Sequence, residues 1–160
     1  MEMLFDLDIN EDEKNRRVRK IVETLEIEDI LDMHPYDLSG GEQQKAALAK
    51  ILLLEPKILL LDEPTKALDS FYKEKLGIFL NRLKKDGITI IMVTHDIEFA
   101  AKVSDTCGMF FDGSIITSGA PKKFFSENNF YTTSANKMSR DIFKAAITCE
   151  DVVKLCKKNL

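Results

Sequence analysis

Glycine is scarce where it matters most for binding a phosphate. Of the seven glycines in this 160-residue chain, none precedes Gly40. A loop that wraps phosphate oxygens with backbone N–H groups needs residues without a Cβ, so the segment Met1 to Leu38 holds no G-x-x-x-x-G-K-[ST] loop. Cysteine is sparse as well. Cys107, Cys149 and Cys156 are an odd number in no metal-ligand spacing, which argues against a disulfide framework or a zinc site. Long apolar runs are missing: Ile58 to Leu61 falls far short of the ~20 residues that a membrane-spanning helix needs. No basic-then-apolar leader precedes the first acidic residues, so a cytosolic chain is the expectation. Excess positive charge is lacking too, since 23 Lys and Arg face 27 Asp and Glu for a formal charge of −4. No general attraction to nucleic acid or anionic lipid is therefore expected. Heptads, internal repeats and low-complexity stretches are also absent. What remains is a chain of the size of one domain, or part of one, with 44% hydrophobic residues to build a core.

Its organisation follows from periodicity and punctuation. Asn10 followed by Glu13 reads as a helix cap, and Val18, Ile21, Val22 and Leu25 then recur at i, i+3, i+4, i+7. A short turn of helix at Asp29 to Met33 stops at His34-Pro35, because proline disfavours helical geometry in the residue before it. Ser39 with Glu42 opens a second helix, with Ala47, Leu48, Ile51 and Leu52 facing a core and an end before Pro56. From Ile58 to Leu61 the pattern becomes a continuous apolar run closed by Asp62-Glu63-Pro64, which reads as a strand buried on both faces of a parallel sheet. Leu76, Phe79, Leu80 and Leu83 mark a helix ending near Gly87, and Ile88 to Thr94 is a second, β-branched strand followed by His95. Strand, helix and strand make a βαβ unit. A short helix at Ile97 to Val103 leads to a hairpin turning at Asp112-Gly113. The remainder reads as an appended tail closed by a helix that Thr148 and Asp151 cap, with Cys149, Val152, Val153 and Cys156 on one face.

Two constellations carry chemistry. In Leu38-Ser39-Gly40-Gly41-Glu42-Gln43-Gln44, two glycines sit on the first turn of a helix, where unpaired N–H groups and the positive end of the dipole attract phosphate. The Ser39 hydroxyl can add a hydrogen bond to such a ligand, or it can simply cap the helix. Asp62-Glu63 lies where a strand ends, and ligands of open α/β sheets bind outside the carboxyl ends of the strands. One carboxylate there suits a magnesium ion held through water, the next suits orienting and deprotonating an attacking water, and a solvated acidic loop is the plain alternative. His95 follows the second strand at the same end and can reach the same phosphate, or serve as an ordinary loop residue. Asp69 most simply caps the next helix.

Taken in order, these pieces resemble the nucleotide-binding domain of the ABC ATPase family. Leu38 to Gln44 resembles its signature motif, Ile58 to Glu63 its Walker B motif with the catalytic glutamate, Ala67-Leu68-Asp69 its D-loop and His95 its H-switch. The resemblance implies a partial P-loop NTPase (RecA-like) α/β fold: a helical subdomain over 1–56, the later part of the catalytic core over 57–118 and a C-terminal tail over 119–160. It implies ATP and Mg2+ as cofactors, Glu63 and His95 as catalytic residues and Asp62 as the metal residue. Ser39, Gly40, Gly41, Gln43 and Asp69 become nucleotide-binding residues, the serine and glycines for an ATP held by the opposite domain. Expected partners are a second, identical or different, ATPase domain and a transmembrane importer subunit at the inner face of the cell membrane, with no nucleic acid. By position alone, Asn10 to Glu26 is the region that touches the membrane subunit. The tail, in Phe124-Phe125-Ser126, Asn128-Asn129-Phe130-Tyr131-Thr132-Thr133 and Thr148 to Cys156, is most similar to the second ATPase unit of energy-coupling-factor importers of the fused type.

The sequence departs from the family in having no Walker A loop, no strand leading into it, no adenine-stacking aromatic and no glutamine loop. The isolated chain is accordingly expected to be inactive, and its sheet to expose apolar surface, to take a complementary chain or to self-associate. Two alternatives remain: a non-catalytic fragment lending its signature motif in trans, or a non-transport ABC ATPase acting on nucleic acid or ribosomes.

Overall fold

The computed structural model describes residues 10–66, 68–128 and 131–158. Ala67, Asn129 and Phe130, which enter the D-loop and tail resemblances, lie outside them. The chain divides into two compact units, Met1–Val93 and Thr94–Leu160.

The first unit begins with α1 (Glu11–Leu25), which starts where Asn10 accepts a hydrogen bond from the Glu13 amide at 2.8 Å. Leu25 and Ile27 are buried. The α1 surface is laced by Glu13, which accepts from Arg16 and Arg17, while Arg17 also reaches Glu55 at 2.9 Å. These two guanidiniums hold the Glu13 carboxyl down at about 2. Two short 3-10 turns, Glu28–Ile30 and Pro35–Asp37, lead to α2 (Gly40–Leu52), which packs on α1. Its buried residues are Leu48, Ala49 and Leu52, whereas Ala47 and Ile51 are exposed. The core stripe of α2 is therefore turned by one position from the one the sequence suggests, because an alanine at either place fits the same period.

After α2 come β1 (Ile58–Asp62), α3 (Ser70–Lys85) and β2 (Thr89–Val93). The strands pair in parallel with Leu60 opposite Ile91 and Asp62 opposite Val93, as a βαβ unit requires. Helix α3 is capped by Asp69, buries Leu76, Phe79, Leu80 and Leu83, ends at Gly87 with φ 88, and packs against β2. The strand β1, whose run reads as buried on both faces, is buried on one face alone, and exposed apolar surface is left as expected. Leu59 is 1% exposed, but Ile58 is 58% and Leu60 69% exposed, and Ile91 and Val93 on β2 match them. The continuous apolar run suits a strand covered on both sides; here α3 covers one side and the other is bare.

The second unit contains α4 (Ile97–Val103), the antiparallel hairpin β3 (Cys107–Phe111) and β4 (Ser114–Gly119), then α5 (Pro121–Glu127), α6 (Ser134–Ser139) and α7 (Cys149–Lys158). Asp112 at φ 45 and Gly113 at φ 77 form the tight turn, a geometry in which both central residues are left-handed. The tail packs into this unit: Phe125 and Ile147 share a core with Ala101 and Cys107. Buried Asn136 fastens it by donating to the carbonyls of Lys144 and Ala146 and accepting from Thr132. Helix α7 is capped reciprocally by Thr148 and Asp151, as expected. Its inward side is half-buried Val152 and Leu155, however, and Cys149, Val153 and Cys156 are exposed. Amphipathic spacing locates a stripe but leaves its neighbour free by one residue.

Neighbouring positions of β1 should respond oppositely. Leu59→Ala is expected to cost about 2–5 kcal/mol in chemical denaturation, whereas Leu60→Ser should stay within about 0.5 kcal/mol and raise solubility. Equal losses at both positions would contradict the one-sided burial.

Candidate functional site

Seven of the eight sequence-derived site residues belong to the first unit, and His95 belongs to the second. The helix α2 begins as a capping box. The Glu42 amide donates to Ser39 Oγ at 3.4 Å, and Glu42 Oε2 accepts from the Ser39 amide at 2.8 Å and from its hydroxyl at 2.6 Å. These bonds from Ser39 hold the Glu42 carboxyl below its usual range. The hydroxyl proton of Ser39 is thus directed at Glu42, so capping and phosphate binding draw on one group. Gly40 and Gly41 form the first turn, whose amides have no partner within a helix. A Cβ at Gly40 would meet nothing within 4 Å, so the side-chain direction of this residue is open; at Gly41 it would meet the Tyr72 ring at 3.4 Å. Gln43 turns back, donating to the carbonyl of Leu38 at 3.0 Å.

The acid pair follows from β1. Asp62 is the last strand residue and is exposed, on the bare side with Ile58 and Leu60. Glu63 is half-buried at φ 46, a left-handed conformation that costs a non-glycine residue on the order of 1 kcal/mol or more. Two backbone bonds hold it there: its amide donates to the Val93 carbonyl at 2.9 Å, and its carbonyl accepts from Lys66 at 3.0 Å. Strain of this kind gathers where function fixes a side chain's direction, and nothing in the residue types announces it. Asp69 caps α3 by accepting from the Tyr72 amide at 2.8 Å, as its position suggested. His95 is exposed, and its carbonyl accepts from Ile97 at 3.0 Å just before Asp96 caps α4.

Two contacts escaped the sequence reading. Gln44 donates its side-chain amide to the carbonyl of Pro64, next to Glu63, and Tyr72 of α3 lies against Gly41. The glycine-opened helix is in this way tied both to the acid loop and to the helix that Asp69 caps. Both contacts join residues far apart in sequence, so no local pattern could have signalled them.

The first unit is thus a parallel βαβ unit ending in an acid pair and tied to a helix that opens on two glycines. Residues 2–66 match the family model described as ABC transporter. A Bacillus anthracis protein described as a putative ABC transporter ATP-binding protein is 54% identical over 131 residues, 82% of this chain and 24% of that protein. Among solved structures, cbiO1 of Clostridium perfringens, described as part of the ABC transporter complex cbiONQ, superposes with a TM-score of 0.73 at 32% identity, over 88% of this chain and 55% of that one. A bacterial ABC transporter cassette solved as a dimer gives 0.62 at 34% identity, over 72% and 50%. The chain belongs to the ABC transporter ATP-binding family and carries part of its α/β domain. It spans about a quarter of the Bacillus relative and about half of each of these two solved cassettes.

The cap gives a pH test. Because the folded-state pKa of Glu42 is lowered, its contribution to stability is present above the unfolded value near 4.5 and is lost as pH falls through the folded one. The stability difference between the native chain and Glu42→Gln should shrink steadily from pH 6 to pH 3 in urea titrations. A difference that stays constant would show that the box does not use the ionised carboxylate.

Proposed function

We propose that this chain supplies one half of each of two ATP sites in an ABC-type importer ATPase, with the phosphate loop supplied by polypeptide outside it. The observation that carries the reading is the open first turn of α2 at Gly40 together with the strained Glu63 at the end of β1. The fit to a nucleotide is one-sided. Gly40 and Gly41 offer amides to an oxyanion, with Ser39 beside them, and would face the γ-phosphate of ATP held by a second ATPase domain. Asp62, exposed and a hard oxygen donor, would hold magnesium through water, while Gln43 and Asp69 steady the two helix starts. Among the described residues no three metal-ligating side chains cluster, in keeping with an ion held chiefly by phosphate and water. When bound, Mg2+ neutralises charge on the phosphate oxygens.

In this chain's own chemistry, Glu63 orients the attacking water and takes its proton, and the resemblance assigns His95 a phosphate-contacting role. The Glu63 backbone is anchored on the Val93 carbonyl, so the residue's place past the strand end is set before a nucleotide arrives. Interaction at a helix N-terminus contributes about 0.3–2 kcal/mol, too little to replace the nest and lysine of a phosphate loop. The chain alone is therefore inactive. Attachment to the inner membrane face goes through a transmembrane partner; no helix among the described residues is long and apolar enough to cross a membrane. Similarity to a protein described as part of the cbiONQ complex supports the importer reading, and the dimeric cassette supports a second ATPase domain as partner. Matched residues occupy 24% of the Bacillus relative, which leaves room there for a second, fused ATPase unit.

The purified 160-residue chain is expected to show no steady magnesium-dependent ATP turnover; turnover that Glu63→Gln abolishes would overturn the half-site reading. In a complete cassette containing this segment, Glu63→Gln should keep ATP bound and lower turnover by roughly 10²–10⁴-fold. Full activity of that variant would remove Glu63 from the role of base.

A further inference from the structure

Away from the acid pair, residues of α1, α2 and α3 in the first unit enclose a cavity of about 210 Å³. Leu25, Leu48, Leu76 and Phe79, one or two from each helix and all buried, give it an apolar lining. Its charged lining residues are three cations, Lys45, Lys75 and Arg82, and one carboxylate, Glu26. Lys75 Nζ donates to Glu26 Oε2 at 2.9 Å, and Lys45 Nζ donates to the Glu26 carbonyl at 3.2 Å. The hydrogen bond from Lys75, with Lys45 and Arg82 nearby, holds the Glu26 carboxyl below its usual range. A single carboxylate thus answers three positive charges around an apolar hollow.

We propose that this cavity binds a small aromatic monocarboxylate, its ring among the leucines and Phe79 and its carboxylate on Arg82 and Lys75. Size and charge both argue for that occupant. A dry, apolar protein cavity of roughly 150 Å³ holds a benzene ring, so this one takes a ring system with a short polar end. It is smaller than the roughly 300–1,000 Å³ of drug-sized sites, which suits a small ligand. A guanidinium pairs with a carboxylate through two parallel N–H donors, and Arg82 offers that fork beside the point charge of Lys75. A neutral ligand would leave the excess positive charge unanswered, and a cation would be repelled by it. Glu26 is the competitor within the chain: its carboxylate occupies Lys75, but both side chains are exposed, and an exposed ion pair is a weak interaction that a ligand can replace. Gly41, Gln44 and Tyr72 line the same cavity, so an occupant bears on the start of α2 from within the unit. The site goes beyond the half-site reading and does not depend on it.

The test is titration of the full 160-residue chain, with isotope-labelled leucine methyl groups, by naphthoate and by its neutral isostere naphthamide, followed by nuclear magnetic resonance. Naphthoate is expected to shift the methyls of Leu25, Leu48 and Leu76 and to saturate, with naphthamide binding at least about tenfold more weakly. Arg82→Met and Lys75→Met should each weaken naphthoate roughly fivefold or more, while Glu26→Gln, which removes the competing carboxylate, should tighten it about threefold. Leu60→Ser, on the bare face of the sheet, should leave the affinity unchanged, which separates this cavity from adhesion of an aromatic anion to the exposed strands. Absence of saturable shifts at these leucines, equal binding of naphthamide, an Arg82→Met chain that binds as tightly as the native one, or binding lost in Leu60→Ser would each overturn the proposal. Should Lys75→Met fail to fold, Arg82→Met and Glu26→Gln still decide it, by their opposite signs.

Discussion

The parallel pairing of β1 with β2 is the constraint from which the acid site follows. Parallel register sets Asp62 opposite Val93, and the Val93 carbonyl, left over at the strand end, takes the Glu63 amide. That bond, with the one from Lys66 to the Glu63 carbonyl, holds Glu63 at a positive φ that its own side chain disfavours. Two consecutive carboxylates are consequently presented differently, Asp62 exposed on the bare face and Glu63 half-buried past the strand end. A single strand could not do this, because the acceptor on Val93 belongs to its neighbour. The crossover through α3 is what brings that neighbour alongside.

A second theme is economy in helix starts. Asn10, Ser39, Asp69, Asp96 and Thr133 each accept from the amide three residues on, so five helices begin where a short polar side chain is available. Two of these caps, Ser39 and Asp69, are also sequence-derived nucleotide residues. Their caps fix the starts of α2 and α3, so the proposed function draws on the same atoms as helix stability. The link from Gln44 to the Pro64 carbonyl and the packing of Tyr72 on Gly41 join these starts to the acid loop within one unit. A shift of α2 must therefore be felt at Glu63.

Much of this was legible in the sequence, for physical reasons that can be named. Caps are local, so Ser39 with Glu42 and Thr148 with Asp151 announced their helices. The hairpin was legible because Asp112-Gly113 tolerates two left-handed residues in succession. What escaped was relational. Ala47 and Ala49 satisfy the same helical period, and the choice between them depends on where α1 lies. The outward turn of Cys149 and Val153 on α7 depends likewise on its packing partner. The strand at Ile58 to Leu61 was readable as a strand for two-sided burial, whereas Ile58 and Leu60 are exposed. Glu63 carried no hint of its backbone strain, since that strain is imposed by Val93, thirty residues away.

The proposed function assigns the α2 start and the acid pair to two unlike half-sites that further polypeptide completes. The most direct measurement is nuclear magnetic resonance of the isotopically labelled chain, titrated with a complete cassette locked in its ATP-bound or ADP-bound state. The amides of Gly40 and Gly41 are expected to shift with the ATP-bound form and to stay in place with the ADP-bound one. Unmoved glycine amides in both titrations, with shifts elsewhere on the chain, would contradict the account.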